Sequence, residues 1–130
     1  MAAVADILSS ANPAAGSDLT HTFAADALIH SMALTFVTDA NAANRVVRLT
    51  LTDSSGNVYW RCSFSNTQAA STTAFYVLYE GAGFNSNSFV IAPLPTNGLQ
   101  VNAGDILTIT ATNKQAGDDF TAAIFQYTQI

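Results

Sequence analysis

Along most of this chain, apolar and polar side chains alternate with a period of two, the repeat of a strand with one face buried. The clearest case is Arg45–Thr52, where Val47, Leu49 and Leu51 face one way and Arg48, Thr50 and Thr52 the other. Val58–Phe64 repeats the pattern, with Val58, Trp60, Cys62 and Phe64 opposing Tyr59, Arg61 and Ser63. In Ala27–Thr38, Leu28, His30, Met32, Leu34 and Phe36 alternate with Ile29, Ser31, Ala33, Thr35 and Val37. In Thr72–Glu80, Phe75, Val77 and Tyr79 oppose Tyr76, Leu78 and Glu80. Further runs at Asp18–Phe23, Phe89–Ala92, Ile106–Thr112 and Phe120–Ile130 bring the predicted strands to eight.

Turn chemistry separates these runs. Asp53-Ser-Ser-Gly-Asn57 predicts a hairpin with Gly56 at positive φ. Asn97-Gly98 and Asn102-Ala-Gly-Asp105 flank a short segment, Leu99–Val101. Pro93 and Pro95 place the sixth run at a sheet edge, because proline cannot donate to a ladder. Eight alternating strands with such turns predict an all-β, antiparallel, jelly-roll-like sandwich, with an immunoglobulin-like sandwich as the alternative. Met1–Ser17 shows no sustained period and ends in Asn12-Pro-Ala-Ala-Gly-Ser17. It is expected to be an N-terminal arm, ordered only when something holds it, ahead of a sandwich domain at 18–130.

Composition narrows the class. Of the 130 residues, 10% are charged, with Lys114 the only lysine and Glu80 the only glutamate. Several amphipathic helices would need more long polar residues than this. A net charge of −5 with four basic residues argues against nucleic-acid binding and against anionic membranes. The start of the chain has no basic region before its apolar run, and Asp6 breaks that run; neither a signal peptide nor a membrane span is expected, and synthesis in a cytoplasm is. A sparsely charged surface rich in Thr, Ser, Asn and Gln points to a domain that other polypeptides cover, not to an enzyme.

Candidate chemistry is thin. Asp118 and Asp119 are neighbours, poor geometry for an acid–base pair, and are expected to shape a solvated loop. Calcium would need Asp39, Asp53 or Asp105 from other loops, and no D-x-D-x-D-G pattern occurs. His21 and His30 are the only histidines, and His30 is expected to be hydrogen-bonded in a core or interface. No G-x-S-x-G elbow marks an activated serine. Gly81-Ala-Gly83 lacks the rest of a nucleotide loop and is read as a flexible hairpin end. Arg48 and Arg61 fall on the polar faces of two hairpin strands, where they can meet carboxylates of a neighbouring strand or subunit; Arg45 precedes them. Tyr59, Trp60, Tyr76 and Tyr79 offer material for a sugar-binding platform, although Trp60 alternates with Cys62 and Phe64 and belongs on the core side. Cys62, the single cysteine, is read as a small buried residue. No catalytic, cofactor-binding or metal-ligating residues are assigned.

Two stretches carry a resemblance. Asp39–Arg61 holds an N-R-x-V-R-L run, a D-x-x-G-N turn and a W-R strand. Leu99–Tyr127 holds a Gly-Asp step, an alternating Thr-rich strand and an N-x-Q-A-G-D loop before the last strand. Together they resemble small virion-associated proteins of tailed bacteriophages and prophages. The resemblance implies a jelly-roll cement or decoration protein on the outside of a phage head. It would bridge subunits of the major capsid protein and form a homo-oligomer, with a trimer favoured. It carries over no catalytic residue and does not cover Met1–Ser17 or Gly81–Ser88. The alternative class is a carbohydrate-binding or receptor-binding jelly-roll module of a phage fibre or tail.

Overall fold

The computed structural model describes residues 6–82 and 90–130, and for Asp6 the backbone alone. Eleven strands and no helix occur among them: β1 Asp6–Ser9, β2 Leu19–Thr22, β3 Ala27–Val37, β4 Val47–Thr52, β5 Val58–Ser63, β6 Thr73–Glu80, β7 Val90–Leu94, β8 Leu99–Val101, β9 Ile106–Ala111, β10 Asp119–Phe120 and β11 Ile124–Gln129. One sheet has the order β1-β11-β3-β6-β7, with β8 and β10 also paired to β3; the other has the order β2-β9-β4-β5. Six of the ten steps between consecutive described strands cross from one sheet to the other, and the first described strand lies beside the last. This is the jelly-roll arrangement of two interlocked Greek keys, and the sandwich is all-β as the alternation predicts.

The inner faces supply the core. Leu19, Val47, Leu49, Leu51, Leu107 and Ile109 of the four-stranded sheet are fully buried against Met32, Phe36, Leu78 and Phe125 of the other. Phe36 stacks on Phe120 with centroids 4.2 Å apart. The Asp53–Asn57 turn closes as predicted, with Gly56 at φ +89° and the Asp53 carboxylate accepting the N–H groups of Ser55 and Asn57.

Four expectations need correction. First, the strands among the described residues number eleven, because β1, β8 and β10 are too short for their period to register. Second, the ladders are not all antiparallel: β6 and β7 pair in parallel, with Pro93 opposite Tyr79 on the edge strand. Third, residues 6–17 of the expected arm belong to the sandwich. β1 pairs with β11 from Asp6↔Tyr127 to Ser9↔Ile124, and the Ser10 hydroxyl accepts the Ala123 N–H. Gly16, at φ +79°, passes so close to Ala116 that a Cβ would sit 2.7 Å from its carbonyl oxygen. Residues 1–5 and most of the Gly81–Ser88 connection lie outside the described residues, as does Phe89 at the start of the sixth predicted run.

Fourth, the alternation of β3 slips at His30. Gln126 faces Ser31 and Tyr127 faces Ile29, so His30 is the extra residue of a β-bulge. Ala27 and Ile29 therefore point inward before the bulge, and Met32, Leu34 and Phe36 after it. At the same place the partner on the other edge of β3 changes from β8 to β6.

Candidate functional site

The two outer faces of the sandwich differ in chemistry. On the seven-stranded sheet, Ile124, Ala33, Val77 and Ile91 form one row across four strands. A second row runs Ile7, Gln126, Ser31, Tyr79 and Pro93. Ile124 is 50% exposed and Tyr79 40%, with exposed Phe75 and Val37 further along. Where β10 gives way to β11, residues Thr121 and Ala122 leave a shallow groove of about 150 Å³ against Ala33, Thr35, Val77 and Ile124. Asp119 is exposed at the rim, and at the bulge of the same sheet Glu80 is partly exposed and tied up with His30.

The outer face of the four-stranded sheet is polar. Thr20, Thr108, Thr50 and Arg61 form a row across all four strands. Thr110, Arg48 and Ser63 form the next row, and Arg48 Nε donates to Ser63 Oγ at 2.9 Å. The predicted hairpin thus sets Arg48 and Arg61 as diagonal neighbours.

Sequence reasoning missed the most ordered polar cluster. Arg45 is fully buried, and so is Asp118, expected to be solvated; its neighbour Asp119 is exposed. Arg45 Nε donates to Asp118 Oδ2 at 2.9 Å and Nη2 to Oδ1 at 3.0 Å, a bidentate pair. Nη2 also reaches Asp39 Oδ1 at 3.0 Å, and Nη1 the Ala43 carbonyl at 2.8 Å. Burial opposes ionisation of Asp118, but Arg45 and the N–H groups of Gln115 and Asp39 outweigh it and hold the carboxyl below the usual range. Gly117 admits the Asp39 carboxylate, since a Cβ there would lie 2.8 Å from Oδ2. The N-R step of one resembling stretch and the A-G-D step of the other meet in this cluster. It fastens the 39–44 loop to the 113–118 loop, and the charges are consumed within it.

The remaining candidates resolve into structural contacts. Asp39 and Asp118 approach each other around Arg45, Asp53 closes its own turn, and Asp105 accepts the Tyr59 hydroxyl and the Asn102 N–H. Among the described residues no group of three or more His, Cys, Asp or Glu converges to hold a metal ion. Burial and the bond to Asp105 push the Tyr59 phenol upward. His30 is half-buried; Nδ1 meets Glu80 Oε1, and Nε2 lies 2.8 Å from Thr128 Oγ1. That hydroxyl–imidazole–carboxylate chain spans β11, β3 and β6 across the bulge, and none of its members lines the groove. The His21 ring packs edge-on against Phe23 and tilted on Phe125; its Nε2 is buried without a hydrogen bond, and burial lowers its pKa. Cys62 is half-buried and burial raises its thiol. The four aromatics do not form one platform. Tyr76 is a core residue donating to Gln68 Oε1 at 2.7 Å, Trp60 packs against the core, and Tyr59 and Tyr79 belong to different sheets.

No family model matches the sequence, and no curated protein does. Solved structures of similar arrangement include the infectious bursal disease virus T13 particle, at 16% identity and a TM-score of 0.46, with 96% of this chain and 31% of that one covered. A Staphylococcus aureus hydrolase of the CocE/NonD family aligns at 10% identity and 0.43, over 97% and 33%. The tobacco streak virus coat protein aligns at 7% identity and 0.37, over 96% and 86%. The chain spans about a third of the length of the first of these, and identities this low transfer no activity.

Proposed function

We propose that this chain is a non-catalytic structural protein of a virus particle. On this reading it is a cement or decoration protein on the outside of a phage head, binding and bridging subunits of the major capsid protein. The observation that carries the reading is the outer face of the seven-stranded sheet. A contiguous surface with exposed Ile124, Val37 and Tyr79, where Asp119 stands at the rim and the Glu80 carboxylate is paired with His30, is unusual on a protein that works alone. It suits a partner presenting a similarly uncharged surface, where burial of apolar area drives docking. The resemblance of Asp39–Arg61 and Leu99–Tyr127 to phage virion proteins supplies the partner class. It also favours a homo-oligomer, with three copies preferred, whose repeated contacts add through avidity.

Emptied phage shells mixed with purified protein test this reading. Light scattering and sedimentation are expected to show saturable loading. Ile124→Asp, which places a charge in the middle of the face, should lower occupancy about tenfold or more at unchanged circular dichroism. Shells that stay bare, or load equally with the variant, would discard the docking face.

A further inference from the structure

The four-stranded sheet has one open edge that differs from the other sheet edges. β1 and β2 are four residues long, and β7 carries Pro93, so three edges are short or interrupted. β5 has six residues, no proline and no lysine, and among the described residues only β4 pairs with it. Of the usual guards against strand addition, β5 lacks shortness, proline and lysine; its bulge at Tyr59 lies at the turn end, its one charge is Arg61, and Trp60–Ser63 pair in regular register.

The direction of its free backbone groups follows from the register. Phe64 N–H donates to the Val47 carbonyl at 3.1 Å. Alternation in an antiparallel pair then assigns the groups of Cys62 and Trp60, opposite Leu49 and Leu51, to β4. Arg61 and Ser63 aim their N–H and C=O groups away from the sheet.

Charge specifies the visitor. Of the four cations, Arg45 pairs with Asp118 and Asp39, and Lys114 with Asp18. Arg48 and Arg61 have no carboxylate partner among the described residues, in a chain of net charge −5, and they are neighbours beside the open edge. The inner side of β5 presents half-buried Trp60 and Cys62.

We propose that β5 accepts an extended acidic segment of a partner protein as a fifth strand of this sheet. Its backbone pairs with Arg61 and Ser63. Outward carboxylates meet Arg61 and Arg48, and inward aliphatic side chains cover Trp60 and Cys62. This inference rests on the reading of the chain as a protein-binding module, and it concerns a different surface from the shell-docking face.

The single tryptophan, Trp60, lies on the strand and reports the test directly. The probe is the blocked peptide Thr-Val-Asp-Val-Glu-Val-Thr, added to the full chain. Saturable change in Trp60 emission is expected. Replacing both acids with lysine should weaken binding about tenfold, and Arg61→Glu should invert that preference. N-methylating the peptide's edge amides, with side chains unchanged, should abolish the response. No saturable response, an equal response to the lysine peptide, or an undiminished response after N-methylation would each overturn the proposal. A change in Trp60 emission that follows protein concentration alone would identify a second copy as the occupant and also overturn it. A negative peptide result with loaded shells would discard the edge and leave the virion reading standing.

Discussion

Arg45 is the hub of a buried ion-pair cluster with Asp118 and Asp39. Its guanidinium is withdrawn from water and repaid by two carboxylates and a carbonyl. Breaking a buried pair by removing one partner is costly because the other charge stays buried and alone. Arg45→Ala is therefore expected to lose about 3–5 kcal/mol of unfolding free energy, a large share of a typical total. Arg45→Lys should recover little, since an ammonium cannot span both Asp118 oxygens and reach Asp39. Urea unfolding of both variants measures this. Stability close to the native chain in Arg45→Ala would show that the cluster orders loops without holding the fold.

At the scale of elements, β1 closes the seven-stranded sheet. It contributes four ladder positions to β11, brings Leu8 against the core, and leads into Ser10, which bonds Ala123 in both directions. Removing residues 1–9 uncovers the β11 edge, including exposed Ile124. Such an edge invites pairing between copies. The truncated chain is expected to melt several degrees lower and to self-associate with rising concentration, read by calorimetry and light scattering. A monomer of unchanged melting temperature would mean that β1 is a passenger.

For the molecule as a whole, half-buried His21 and buried Asp118 both weaken the fold in acid. His21 has a lowered pKa, so below about 6.5 the unfolded chain takes up a proton that the folded ring resists, and stability falls as pH falls. Asp118 has a lowered pKa, so its contribution is complete above about 3.8 and disappears as pH drops through the folded value. Both effects run in one direction, toward weaker folding in acid. Urea unfolding free energy should decline between pH 7 and 5, and His21→Leu should flatten that interval while leaving the steeper loss below pH 4. An identical slope in the variant would remove His21 from the account.

The sequence by itself determined the strand class, the inward set of β4 and the Gly56 turn, because each depends on neighbours a few residues apart. It also determined that the surface would be poor in charge. Tertiary structure alone decided the pairs distant along the chain. Arg45 and Asp118 lie 73 positions apart, and no local spacing marks either for burial. The slip at His30 arises where β3 changes partners, so a period read from one strand could not show it. β1 was illegible for a related reason: four residues are too few to establish a period, and their place is fixed by β11 at the far end of the chain. The contrast between an apolar outer face and an arginine-bearing one likewise required the sheet order. Alternation assigns each side chain to a face of its own strand, and only strand pairing assembles those faces into a surface.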